Sequence, residues 1–129
     1  MGQPAAAQGD QVTAMDTHLV IVPSGPPVTQ MLPFSGRLVD GLSSNVRIQQ
    51  RPAAVSGSTA VNTPLHLPIA PGTAFSRPPS NQGTVQSGSA TVRINGRPAA
   101  RAGDPVTTCN DPADLPAGTI VAAGPVRIG

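Results

Sequence analysis

Apolar and polar residues alternate over short stretches of this chain, and no stretch keeps a helical period. Val46-Arg47-Ile48, Val92-Arg93-Ile94 and Val126-Arg127-Ile128 each read apolar, charged, apolar, the period of a strand. Three further segments read as short strands: Gly36-Arg37-Leu38-Val39, Gly83-Thr84-Val85-Gln86 and Gly118-Thr119-Ile120-Val121. Asn95-Gly96, directly after the second Val-Arg-Ile, is the strongest two-residue hairpin turn. The pattern predicts a mostly β chain of short hairpins. The Pro-rich stretches Pro23–Pro33 and Pro64–Pro79 are expected to be long connections between units.

The strands belong to a repeat. Pro-Ala-Ala occurs at Pro4–Ala6, Pro52–Ala54 and Pro98–Ala100, each followed three residues later by Gly9, Gly57 or Gly103. Two Val-Arg-Ile segments run into a Pro-Ala-Ala. The first Pro-Ala-Ala has no Val-Arg-Ile before it, and the last Val-Arg-Ile has no Pro-Ala-Ala after it. A closed ring with pseudo-threefold symmetry resolves both loose ends, with the third unit assembled from the two ends of the chain. Val126–Gly129 is therefore expected beside Gln3–Ala7. The Val and Ile rows are expected to stack inward in layers of three, leaving Arg47, Arg93 and Arg127 as an outer ring. The three repeat glycines are expected at positive φ.

Composition narrows the class. Gly (14) and Pro (16) are near a quarter of the 129 residues, whereas Leu, Ile, Val and Phe together are about 22%. That composition describes a folded, loop-rich chain with a thin core. Every basic residue is Arg and every acidic one Asp; Lys, Glu, Trp and Tyr are absent, which disfavours mostly helical classes. No apolar run is long enough to span a membrane. Residues 1–10 lack the basic-then-apolar order of a secretory signal. Two Phe are too few to stack bases, so nucleic acid is not an expected partner. The length suits one domain over 1–129. A core this small needs a staple such as a metal, an oligomer or a partner.

Candidate ligands for a metal lie in the repeat loops. His18 is nine residues after Gly9 and His66 nine after Gly57; these are the only histidines. Cys109, the only cysteine, is six after Gly103. Ligands from three copies of one loop converge near the axis, and imidazole with thiolate suits Zn(II) or Fe(II). The fourth ligand stays open among Asp16, Asp111, Asn62, a backbone carbonyl and water. Arg51 and Arg97 are expected as solvated strand ends paired to Asp10 or Asp104. Met15 and Met31 are core filler or rim.

Pro98-Ala99-Ala100-Arg101, followed by Ala102-Gly103-Asp104, resembles the signature of the PAAR-repeat family; Pro4–Ala7 and Pro52–Val55 are degenerate copies. The resemblance implies a small cone of short β-strands around a pseudo-threefold axis. It implies a metal near the apex, carried over here to His18, His66 and Cys109. The family's usual set is three His and one Cys, and this chain has two His. The base of such a cone caps a trimeric VgrG-like spike, one copy per trimer, at the tip of a type VI or phage-tail-like injection machine. That implies cytoplasmic assembly followed by export at the tip, passing contact with a target membrane, and in some cases a separate effector.

A competing reading from another class is a small zinc-dependent hydrolase with an open His2Cys site and Asp16 or Asp111 as general base. Its requirements are a substrate pocket and acid–base groups beside the metal.

Overall fold

The computed structural model describes residues 2–129. Among them are thirteen strands and no helix. Six strands close a barrel: β2 (Gln11–Ile21), β3 (Val28–Asp40), β6 (Thr59–Asn62), β8 (Gln82–Val85), β11 (Pro105–Thr108) and β12 (Leu115–Val121), which returns to pair with β2. Closure leaves the barrel without a free edge. A seventh strand, β7 (Ala74–Phe75), lies on the far end of β2.

The repeat forms a second layer. Three two-residue hairpins stand side by side: β4 (Arg47–Ile48) with β5 (Arg51–Pro52), β9 (Arg93–Ile94) with β10 (Arg97–Pro98), and β13 (Arg127–Ile128) with β1 (Gln3–Pro4). The third hairpin joins the two ends of the chain as expected. Gln3 opposes Ile128, Pro4 opposes Arg127, and Ala5 N–H donates to the Val126 carbonyl at 2.9 Å.

Between hairpins and barrel, the Pro-Ala-Ala segments meet in a closed ring. Ala6 N–H donates to Ala100 O, Ala100 N–H to Ala54 O and Ala54 N–H to Ala6 O, each at 3.0 Å. These bonds run between copies of one motif and hold three distant segments at once. Only a small side chain lets three backbones approach this closely, which is why alanine fills the position; Ala6, Ala54 and Ala100 are fully buried. The loop after each copy turns through Gly9, Gly57 and Gly103 at φ +87°, +97° and +88°, a region costly for any L side chain. Its last residue closes the turn: Asp10 accepts from Ala7 N–H, Ser58 from Val55 N–H and Asp104 from Arg101 N–H.

The ring divides the apolar interior. Val12, Phe34, Leu38, Val85, Val106 and Ile120 pack inside the barrel, while Ala5, Ala53, Ala99, Ile94 and Ile128 pack under the hairpins. Phe34 fills space that Gly36 and Gly83 leave, since a methyl on either would fall 3.1–3.3 Å from its ring.

The structure corrects three expectations. Ile94 and Ile128 are buried and Ile48 half-buried, but Val92 and Val126 are exposed and Val46 only half-buried. The space under the hairpins is filled by Ala5, Ala53 and Ala99 with Val55, Ile94 and Ile128. Pro23–Pro33 is not a connection throughout. Val28–Pro33 pairs with Met15–Val20 in a long hairpin whose turn spans 22–27. Pro33 is tolerated because β3 meets β6 only from Gly36 onward, so no ladder bond is asked of its missing N–H on that side. Lastly, Arg51 reaches Asp10 at 3.0 Å, but Asp104 is taken by Arg101 at 2.9 Å. Ser58 stands where Arg97 would have met an aspartate.

Candidate metal centre

Strand period places the first two donors. Along β2, Asp16, His18 and Val20 face inward while Met15, Leu19 and Ile21 face out. Past Thr13, where the pairing with β12 ends, one edge of β2 is open until β7 begins at Val20. The segment after β11 fills this gap. Thr17 N–H donates to Asn110 Oδ1 at 2.7 Å, Leu19 N–H to Asp111 Oδ2 at 2.8 Å, and Asp111 N–H to Thr17 O at 2.8 Å. Cys109 is thereby carried inward. His66 follows β6 and is fixed by its own N–H, which donates to Asn81 Oδ1 at 2.8 Å.

The three sequence-predicted residues meet, and Asp16 joins them. One donor atom each from Asp16, His18, His66 and Cys109 lies within 4.8 Å of the others, and all four residues are buried. Asp16 Oδ2 is 2.8 Å from His66 Nε2 and 3.5 Å from Cys109 Sγ, and Sγ is 3.8 Å from His18 Nε2. A tetrahedron with metal–ligand bonds of 2.0–2.3 Å has edges of about 3.3–3.7 Å, so these separations are close to a coordination shell.

The surroundings orient the donors. Thr108 Oγ1 donates to Asp16 Oδ1 at 2.5 Å, leaving Oδ2 to face the cluster. Asn62 Oδ1 accepts from Ser35 N–H and its Nδ2 donates to Asn81 Oδ1, which aims Nδ2 at His66 Nδ1, 3.2 Å away. The His66 proton then sits on Nε2 and is given to Asp16. A cation on Nε2 requires the neutral ring to carry its proton on Nδ1 instead, toward the Asn62 amide. His18 Nδ1 is buried without a hydrogen-bond partner, and its nearest acid is Asp111 Oδ2 at 3.6 Å.

Of the open candidates for a fourth ligand, Asp16 lies in the cluster. Asp111 and Asn62 stand behind the two imidazoles. The signal for Asp16 was its spacing: two residues before His18 on one strand means the same face.

Electrostatics agree with a cation site. Burial, then the neighbouring His66, lowers the pKa of His18, so the ring is neutral as a ligand must be. Burial raises the Cys109 thiol, and the Asp16 charge adds to this. That thiol is protonated unless a cation stabilises the thiolate. Burial alone would raise the Asp111 carboxyl; the Leu19 N–H and Arg77 outweigh it and hold it below the usual range. Two neutral imidazoles, one thiolate and one carboxylate balance a divalent ion, which satisfies the rule that buried charge be compensated.

Residues 76–128 match the family model of the PAAR motif. Over these residues the chain is similar to the PAAR motif. They contain the full Pro98–Arg101 signature and two of the three Val-Arg-Ile segments. The ring bonds extend the same arrangement to the degenerate copies at Pro4 and Pro52, which lie outside the match. No curated protein and no solved structure matches the chain.

Proposed function

We propose that the chain is a non-enzymatic, metal-stabilised tip that caps a trimeric VgrG-like spike in a contractile injection system. The observation that carries this reading is the closed threefold ring. A single chain whose backbone repeats itself three times about an axis can match a partner built from three chains. The hairpin end is the end with threefold character, so it is the docking face. The opposite end, where the β2–β3 hairpin projects, has lost the threefold pattern and forms the point.

Asp16, His18, His66 and Cys109 are the residues that hold the ion in this reading. It would supply cross-linking: one ion ties β2, the segment after β6 and the segment after β11 beneath the point. The outward face there suits passage into a target membrane. Met15, Leu19, Ile21 and Met31 are exposed, and residues 17–36 carry no Asp or Arg. One domain, cytoplasmic assembly and export at the tip follow from the same reading.

The hydrolase alternative finds no support in the site. Every donor is at most 7% exposed, and two surface cavities of about 400 Å³ are lined by other residues. The test is native mass spectrometry of the chain mixed with its cognate trimeric spike. One chain per trimer is expected; absence of a complex at micromolar concentrations overturns the proposal.

A further inference from the structure

The three hairpins form a continuous annulus. The turn of each touches the start of its neighbour: Asn95 contacts Ser43 and Asn45, the Gly129 carbonyl accepts from Ser89, and Gln49 lies against Gly124. On its outer side stand Arg47, Arg93 and Arg127, all exposed. Each places one guanidinium N–H on a carbonyl of its own turn, at Gln50 (3.0 Å), Gly96 (3.1 Å) and Gly2 (3.2 Å). The anchor is the same three times, so the three charges are held in one threefold pattern rather than left to wander.

None of the three has a carboxylate within 4.0 Å among the described residues; the ion-paired arginines are Arg51, Arg77 and Arg101. The charge is also segregated. Seven of the eight arginines lie in the hairpins, the ring loops or the strand beside them, against only Asp10, Asp40 and Asp104. Around the metal cluster the balance reverses, with Arg77 against Asp16, Asp111 and Asp114. An annulus of anchored, unneutralised guanidinium groups is costly to the isolated chain through self-repulsion. Four of the five N–H groups of each remain available for a fork-like grip on carboxylate.

We infer that the Arg47–Arg93–Arg127 annulus recognises a protein partner whose threefold end carries carboxylates at matching positions around its rim. This rests on the spike-tip reading and adds the chemistry of the partner's surface. Regular threefold spacing favours a trimeric protein over nucleic acid, which has no such symmetry and for which the chain offers no aromatic stacking.

The test measures affinity for the cognate trimeric spike by biolayer interferometry at 50 and 300 mM NaCl. It compares the wild type with an Arg47→Gln, Arg93→Gln, Arg127→Gln triple variant and includes a random DNA duplex as a second probe. The wild type is expected to lose about tenfold or more in affinity at the higher salt, chiefly through slower association. The triple variant should bind about tenfold or more weakly at low salt and respond little to salt. Its melting temperature, read in parallel, should stay near that of the wild type; the single variants give the same reading, graded, if it does not. Tight binding indifferent to salt and to the variants overturns the charge inference and leaves spike docking standing. No binding by the wild type overturns both. DNA binding as tight as spike binding overturns the selection for a threefold acidic protein.

Discussion

The ring end and the cluster end of this molecule are held together by different means. At the ring, backbone bonds between alanines do the work, repeated three times with spacings equal to a tenth of an ångström. At the cluster, four unlike side chains meet once, each oriented by a different neighbour. The ring tolerates degeneracy in its fourth residue, which is Ala7, Val55 or Arg101, because the bonds come from backbone. The cluster has no such tolerance, because each donor atom is supplied by a single side chain. Symmetry here is a property of the backbone, and chemistry begins where symmetry stops.

The largest effect that would sharpen this contrast is loss of the proposed ion. With free metal a thousandfold above its dissociation constant, binding adds about 4 kcal/mol to stability. Chelation should therefore lower the melting temperature markedly, and Cys109→Ala should start low and respond little to chelator. Calorimetry beside elemental analysis checks this; a wild type with no bound metal and no response to chelator would show that the barrel core alone holds the cluster end.

The ring end should respond more modestly and without regard to metal. Ser58 is fully buried, accepts from Val55 N–H at 3.0 Å and donates to Gly41 O at 2.9 Å. Ser58→Ala strands both partners and should cost about 1–3 kcal/mol in urea unfolding, with metal content unchanged. A fall in metal stoichiometry would break the division into two independent regions.

A smaller effect again is expected from pH. The native pKa of His18 lies below its ordinary 6.5 because burial opposes the charged ring. The unfolded chain therefore takes up a proton first, and the chelated protein should lose stability as the pH falls below about 6.5. Unfolding midpoints between pH 8 and pH 5 report it; a flat profile would place a compensating charge beside His18.

The smallest effect lies in the hairpin turns. Gln49 and Gln50 adopt φ +50° and +70°, the same left-handed turn that Asn95-Gly96 makes at +53° and +80°. Gln50→Gly should stabilise by about 0.5–1 kcal/mol, since glycine meets that φ without strain. Thermal unfolding measures the gain, and no change would mean that the annulus imposes the turn at no local cost.

Much of the fold was legible before any coordinates. The tripeptide repeats and their unequal ends required a ring closed by both termini, and Gln3 opposes Ile128 accordingly. His18, His66 and Cys109 were legible as a set from their spacing after the repeat glycines. The exposure of Val92 and Val126 was not, because strand period says which face a side chain is on but not whether something else already fills that side. The long β2–β3 hairpin was masked by four prolines between residues 23 and 33, which read as loop when pairing partners are unknown.

What the sequence determined by itself is the threefold plan, since a repeated motif repeats its local bonds wherever the copies meet. It also singled out three members of the cluster, because histidine and cysteine occur nowhere else in the chain. The tertiary structure alone decided which acid joins them. Asp16, Asp111 and Asn62 all end within reach of the imidazoles, but only Asp16 turns an oxygen toward both His66 and Cys109. That choice depends on Thr108 holding its other oxygen from a strand 92 residues away, and a contact of that range leaves no periodic trace in the sequence.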